Sequence, residues 1–363
     1  MKIAVITPLY ALAGVPLAQI RFARALSARG HNVNLIIGHV ASEYNFEPPE
    51  NIKTTILEKK NVRGWMWPLM RYLWIEKPEV VFSAEDHLNV TVLIAALLVG
   101  FKGKISGSSR VSPFDTYSSK PLTKRWVLKQ LAKLVMARAD ALTCVSKDMV
   151  LQYRKVFDRP PHVCVYNIVD DSHSRKRLNE EVDHRWVLGR KAPLLIAAGR
   201  LAPWKGFEDL IEAMSLVSFR CDARLLILGD GPQRQSLQNL IDERGLRDKV
   251  ELVGYVENPL KFFRQADVFI LSSLVEGLPN VLVEAMMCGC TPVATDCPTG
   301  PREVLSNGLY GYLVPVSDSN TLARAIIKAL ESPIPKCLLD QAVIPFQENN
   351  VIDHHFEILG IKG

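Results

Sequence analysis

The residues best able to do chemistry sit in short segments that each follow an apolar, strand-like run. Glu276 and Glu284 stand eight positions apart in Ser272-Ser273-Leu274-Val275-Glu276-Gly277-Leu278-Pro279-Asn280-Val281-Leu282-Val283-Glu284. The first falls in a loop after the strand predicted over Val268–Leu271; the second lies about two turns into a helix predicted over Asn280–Met287. Gly277, Leu278, Pro279, Asn280, Val281 and Leu282 precede or open that helix, where unpaired backbone N–H groups and the positive end of the dipole await an anion. Two carboxylates flanking such an anion accept hydrogen bonds from hydroxyls. That combination suits a sugar joined through a diphosphate to a ribose. A plainer reading of Glu284 is a cap or ion-pair partner within a core helix.

Other strand ends carry complementary groups. Gly199-Arg200-Leu201-Ala202-Pro203-Trp204-Lys205-Gly206 follows Leu194–Ala198 and precedes a helix predicted over Phe207–Ser215. A glycine that permits close approach, two cations five positions apart and a helix N-terminus suit a diphosphate; an ordinary strand-to-helix turn with two solvated cations is the alternative. Gly229-Asp230-Gly231-Pro232 and Gly254-Tyr255-Val256 follow the next two strands, where a nucleobase fits between loops, although the former equally reads as a simple turn. In the first half, Glu85-Asp86-His87 follows Val80–Ser83, and Ser109-Arg110-Val111-Ser112-Pro113-Phe114-Asp115 follows Lys104–Ser108. Asp86, Arg110, Ser112 and Asp115 are candidates for touching an acceptor. His87 is placed to orient or deprotonate an acceptor hydroxyl, or else to act as a capping or core histidine. No Asp-x-Asp pair occurs, so a metal-clamped diphosphate has no sequence support; no cofactor is expected either, and Cys288 and Cys290 read as packing.

These segments need a scaffold that presents strand ends. Apolar runs at Lys2–Thr7, Asn32–Gly38, Val80–Ser83, Lys104–Ser108, Ala141–Val145 and His162–Tyr166 alternate with helical patterns, one of them Leu17–Arg29 ended by Gly30. Runs at Leu194–Ala198, Ala223–Leu228, Val250–Leu252, Val268–Leu271, Thr291–Ala294 and Gly311–Val314 do the same later, with helices at Gln233–Arg244 and Asn320–Leu330. The pattern is that of an α/β protein built from parallel βαβ units. With 363 residues the chain suits two domains, 1–170 and 171–345, joined through a charge-rich linker over 171–191. Each half is a doubly wound sheet, and two such sheets facing each other enclose a cleft at the carboxyl ends of their strands.

Gly199-Arg200…Lys205-Gly206, Gly229–Pro232, the Glu276/Glu284 pair and Gly289-Cys290-Thr291-Pro292-Val293-Ala294-Thr295 together resemble the retaining family 4 glycosyltransferases of GT-B architecture. The likeness is densest over Leu194–Leu330. Cys297-Pro298-Thr299-Gly300-Pro301-Arg302-Glu303 further resembles members that assemble bacterial polysaccharides, and the family's glycine-rich loop reads here as Ala13-Gly14-Val15-Pro16. The resemblance implies two facing Rossmann-like domains, the first binding an acceptor and the second a nucleotide-sugar donor. It also implies a tail over about 346–363 that crosses back to the first domain. By the same resemblance Arg200 and Lys205 bind the donor diphosphate, Glu284 the ribose and Glu276 the sugar, with amides from Gly277 to Leu282 completing the site.

The activity so implied moves a hexose or N-acetylhexosamine, with retention and without metal, from a UDP- or GDP-linked sugar to a lipid-linked or polysaccharide acceptor. Many relatives carry a histidine or polar group where this chain has Ser112 and Asp115. Alternatives are another nucleotide-sugar enzyme, such as an epimerase or soluble-acceptor synthase, and an inactive nucleotide-sugar-binding protein at a membrane. A dehydrogenase is disfavoured, because no Gly-x-Gly-x-x-Gly follows the first strand.

Composition bounds the rest. At 48% hydrophobic and 23% charged residues the chain is neither disordered nor fibrous, and seven cysteines without framework spacing argue against a disulfide scaffold. The N-terminus lacks signal-peptide features, and the most apolar window, Leu88–Gly100, is too short to span a bilayer, so a cytoplasmic location is expected. The net charge of +6 is uneven: residues 1–171 hold 23 Lys+Arg and 14 Asp+Glu, or +9, and the remaining 21 and 24 give −3. Lys120, Lys124, Arg125, Lys129, Lys133 and Arg138 lie between Asp115 and Asp140 with no acidic residue among them, interleaved with Trp126, Leu128, Leu131 and Leu134. Residues 120–138 therefore read as a basic amphipathic helix for an anionic membrane face, with Trp65-Met66-Trp67-Pro68-Leu69, Tyr72 and Trp74 as interfacial anchors. A core helix with a solvated basic face is the alternative. Nucleic acid is not expected, since no recognition motif accompanies the charge.

Overall fold

The computed structural model describes residues 1–11, 14–40, 46–59, 61–157 and 162–361; Ala13, at the edge of the glycine-rich loop, lies outside them. Contacts divide the chain into one unit of Met1–Ile168 with Gln347–Gly363 and a second of Val169–Phe346. Each is a parallel sheet covered by helices, because Val/Ile/Leu runs without polar alternation must be buried on both faces.

The first unit carries β1 (Lys2–Tyr10), β2 (Asn32–Val40), β3 (Lys53–Ile56), β4 (Val80–Ala84), β5 (Lys104–Ser109), β6 (Ala141–Cys144) and β7 (Val163–Cys164), in the order β3-β2-β1-β4-β5-β6-β7. β3 was not anticipated. It is a short edge strand of sequence Lys-Thr-Thr-Ile, partly exposed along its length, so no apolar run announces it. The helix after β1 spans Gly14–Ala28 and packs Ile20, Phe22, Ala23 and Leu26 into the core. The C-terminal helix, Glu348–Ile358, completes the same core with Val351, Ile352 and Phe356, and Asp353 on its outer side pairs with Arg29. The aromatic segment divides. Trp65 is fully buried with its indole N–H donating to the Lys59 carbonyl at 3.1 Å, whereas Trp67 and Trp74 on the helix Met66–Glu76 are 73% and 67% exposed.

The second unit carries β8 (Leu194–Ala198), β9 (Arg224–Leu228), β10 (Val250–Gly254), β11 (Val268–Leu271), β12 (Thr291–Thr295) and β13 (Tyr312–Val314), in the order β10-β9-β8-β11-β12-β13. Leu195, Leu210, Met214, Ile227, Val293 and Ile326 form its core. The charged segment 170–191, read from sequence as a linker, folds into this unit: Asp171 caps the helix Ser172–Arg177, and Asp170 pairs with Arg175 at 2.6 Å. It buries Leu178 and Val182 and is tied to the rest of the unit by Arg185 with Glu251 and Arg190 with Asp267.

Both sheets reverse direction once, between β1 and β4 in the first unit and between β8 and β11 in the second. Connections that leave neighbouring strands at such a point run to opposite faces of the sheet, and the strand ends there are where ligands of open α/β sheets bind. No helix among the described residues is long and apolar enough to cross a membrane.

The first unit also buries two histidines. Burial lowers His162 to about 4, and burial with the charge of Arg110 and His354 lowers His355 to about 3. Below about pH 6.5 the unfolded chain binds protons that the folded state refuses, so stability is present at neutral pH and lost as pH falls. The expected slope reaches about 1.4 kcal/mol per pH unit for each histidine. Urea midpoints measured from pH 7 to pH 5 should fall accordingly, and His355→Gln should flatten part of that fall; a flat wild-type profile contradicts the assignment.

Candidate functional site

In the second unit the loops after β8 and β11 meet at the point of reversal. The first loop turns through Pro203–Lys205 to Gly206, which sits at φ +62°, and a Cβ there would lie 2.1 Å from the Ser272 carbonyl oxygen. Only glycine lets the loops touch so closely. Lys205 Nζ reaches Glu276 Oε1 at 2.6 Å, with the two side chains only 16% and 12% exposed, so the pair is largely withdrawn from bulk water. Ser273 Oγ donates to the same Oε1 at 2.6 Å, Ser272 Oγ to the Lys205 carbonyl at 2.8 Å, and the Leu274 N–H to the Trp204 carbonyl at 2.8 Å. On the other flank the Glu276 N–H donates to the Pro298 carbonyl at 2.7 Å, and the Thr299 N–H and hydroxyl donate to the Glu276 carbonyl at 2.8 and 3.1 Å. Both backbone and carboxylate of Glu276 are therefore held by hydrogen bonds within the protein itself.

The neighbouring loops join this group through glycine. The Gly229 N–H donates to the Gly254 carbonyl at 2.7 Å, and a Cβ on Gly229 would fall 2.0 Å from the Gly199 carbonyl oxygen. Gly199, Gly229 and Gly254 thus bring the ends of β8, β9 and β10 into contact, leaving Tyr255 exposed and Val256 half-buried beside them. Arg200 is exposed and has no side-chain partner among the described residues. Glu284 is buried on the helix Asn280–Met287.

Of the amides expected at that helix start, the N–H groups of Asn280 and Leu282 are spent on the Leu278 and Pro279 carbonyls at 2.9 Å, and Pro279 has none. Gly277, Leu278 and Val281 are left as candidate donors. Cys297, close by, is held as a neutral thiol: burial, reinforced by the charge of Glu276, pushes it up to about 11.

In the first unit the point of reversal lies between the loops after β1 and β4. Gly14 opens the first helix at φ +57°, exposed, with open space where a Cβ would stand. Asp86 is buried and accepts hydrogen bonds from Ser109 Oγ at 2.9 Å, Tyr117 OH at 2.9 Å and Tyr153 OH at 2.7 Å. Burial raises its pKa while the three hydroxyls oppose that rise. Its carboxylate therefore faces inward and locks the β5 loop onto the helix Lys147–Val156. His87, next along, is exposed without a side-chain partner among the described residues, and Asp115 is exposed as well. Ser112 caps the turn Pro113–Thr116 and donates to Gln152 at 2.8 Å. Arg110 turns inward, its Nη2 donating to Gln19 Oε1 at 3.3 Å.

Sequence reasoning passed over Ser273 and Thr299, which fix Glu276, and over Glu85. Glu85 sits at φ +80°, ψ +133°, strained for a residue with a Cβ, and its carboxyl is raised by burial and by the neighbouring charge of Asp86. Nothing in its residue type signals that conformation.

Comparison with known proteins adds an independent line. Residues 179–342 match the family described as Glycosyl transferases group 1, and residues 14–173 match the one described as Glycosyltransferase Family 4. The N-acetylgalactosamine-N,N'-diacetylbacillosaminyl-diphospho-undecaprenol 4-alpha-N-acetylgalactosaminyltransferase of Campylobacter jejuni is 31% identical over 265 residues, 72% of this chain and 69% of that protein. An uncharacterized glycosyltransferase of Methanocaldococcus jannaschii is 29% identical over 273 residues, 70% of this chain and 66% of its own length. The chain thus spans about two thirds of the length of these curated relatives. The solved structure of Anabaena HepE in complex with UDP shares the fold with a TM-score of 0.78 at 17% identity, covering 99% of this chain and 100% of that one.

Asp86→Ala would strand the Ser109 and Tyr117 hydroxyls in the interior and leave the Tyr153 hydroxyl only the Val111 carbonyl, at 3.1 Å. A loss of roughly 3–5 kcal/mol of stability is expected in urea titrations; an unchanged midpoint would show that water or another acceptor satisfies them.

Proposed function

The chain belongs to the group 1 and family 4 glycosyltransferases, and on that footing we propose that it moves a hexose or N-acetylhexosamine from a nucleotide-diphosphate sugar to a lipid-linked or polysaccharide acceptor, with retention, in building cell-surface glycans. The observation that carries this reading is the Lys205–Glu276 pair, held between glycine-closed loops at the reversal of the second sheet. A cation for a diphosphate and a carboxylate for a sugar hydroxyl stand one hydrogen bond apart. The undecaprenol-linked compound in the Campylobacter relative's name supports a lipid-linked acceptor, and the UDP in the Anabaena structure supports a uridine donor.

In this mechanism Lys205 and Arg200 neutralise the diphosphate as it leaves, an electrostatic contribution that requires no metal. Glu284 accepts from the ribose hydroxyls, and Glu276 orients the transferred sugar. The bond from the anomeric carbon to the phosphate oxygen breaks while that carbon bonds to the acceptor oxygen on the same face. The acceptor proton passes to the departing phosphate oxygen. His87 and Asp115 are the exposed groups of the first unit proposed to orient the acceptor.

Membrane attachment at the cytoplasmic face belongs to the same proposal. The helix Lys124–Val135 buries Leu128, Ala132 and Val135 but leaves Leu131 exposed and Leu134 76% exposed among Lys124, Arg125 and Lys133. An apolar outer row edged with cations suits an anionic leaflet better than water.

Calorimetry with UDP- and GDP-sugars tests the donor site. Lys205→Ala and Glu284→Ala should each weaken binding by about 10- to 100-fold, the range of one charge-assisted hydrogen bond; unaffected binding in both sinks the assignment. NMR of the product should show the anomeric configuration of the donor. Separately, the protein should co-sediment with anionic but not neutral vesicles, and Leu131→Asp with Leu134→Asp should abolish this. Equal partitioning to both vesicle types would remove the membrane reading alone.

A further inference from the structure

Inside the first unit, the helix Gly14–Ala28, β4, β5, the segment Tyr166–Ile168 and the C-terminal helix line a small chamber of mixed polarity. Its free volume, about 10 Å³ for the centre of a water-sized sphere, is that of a single small occupant. Arg110 Nε and Nη1 belong to it, closed to solvent and without hydrogen-bond partners among the described residues, and Ser106 Oγ and His355 Nδ1 are in the same condition. The remaining nitrogen, Nη2, has only the 3.3 Å contact to Gln19 Oε1, while the Gln19 amide nitrogen is committed to the Ile6 carbonyl at 3.2 Å. No carboxylate pairs with Arg110 among the described residues; Glu85 attracts it only at longer range.

A buried guanidinium is tolerated when a counter-charge and acceptors surround it; here the lining supplies the amide groups of Gln19 and Asn167 but, among the described residues, no carboxylate. Water would accept two of these hydrogen bonds and leave the charge uncancelled. A monatomic anion accepts all of them and cancels it. We propose that this chamber is a halide site, filled by chloride, with Arg110 Nε and Nη1 as the principal donors and Ser106 Oγ and His355 Nδ1 completing the shell. The ion would tie the helix Gly14–Ala28 and the end of β5 to the C-terminal helix. This inference rests on the geometry of the first unit and is independent of the transfer reaction.

Melting temperature in sodium chloride, bromide and gluconate at matched ionic strength tests it. A saturable halide-specific rise of about 2–4 °C is expected, since a ligand held only by the folded state raises its stability. Arg110→Met should abolish that rise and Ser106→Ala should diminish it. Should Arg110→Met fail to fold, anomalous diffraction from wild-type crystals grown in bromide provides the reading, with a peak expected within hydrogen-bonding reach of Arg110 Nε. Identical melting in gluconate and chloride, or an ordered water with no bromide signal in the chamber, would overturn the proposal.

Discussion

The ion pair between Lys205 and Glu276 joins two loops that belong to different strands, and the surrounding backbone is arranged to permit it. Withdrawing two charges from water is favourable only when each finds its partner and its remaining hydrogen bonds. Ser273 supplies one for the carboxylate, and the Ser272 hydroxyl ties the Lys205 backbone to the opposing loop. Gly206 must be glycine because the Ser272 carbonyl occupies the place of a side chain. The reversal of strand order between β8 and β11 is what puts these loops side by side at all. Sheet topology, glycine placement and charge pairing thus serve a single small volume.

The first unit solves a different problem with the same architecture. Its polar groups at strand ends are largely turned inward: Asp86 gathers three hydroxyls, and Arg110 faces a closed chamber. Among the described residues, those turned outward near the reversal point include Gly14 and His87, with Val111, Phe114 and Asp115 on the adjoining loop. Loop residues at such a rim can vary while the buried network beneath them stays fixed.

The alternation of long apolar runs with helical patterns made the two parallel sheets legible, since burial on both faces leaves an unbroken hydrophobic signature. The strand-end motifs were legible for a related reason: glycine, charge and helix start recur at fixed offsets. What stayed hidden depended on partners distant in sequence. β3 is too polar and short to stand out, and the 170–191 segment looked like a linker because only Leu178 and Val182 anchor it in the interior while Arg185 and Arg190 reach partners far along the chain. The aromatic segment gave no hint that Trp65 turns into the core while Trp67 and Trp74 face outward. Glycine at position 38 is what admits the Trp65 ring, which lies where a Cβ there would stand. Nor could spacing reveal that Lys205 touches Glu276, 71 positions away.

The C-terminal helix has a temporal consequence. Val351, Ile352 and Phe356 wall the core that Ile3, Val5, Phe22 and Phe82 begin, yet the whole second unit lies between them in the chain. During vectorial synthesis the first unit emerges early but waits with an uncovered apolar face, while the second, contiguous from Val169 to Phe346, can close as soon as it leaves the ribosome. The unit begun first is therefore finished last, and the order of completion is written into the connectivity rather than into the stability of either sheet.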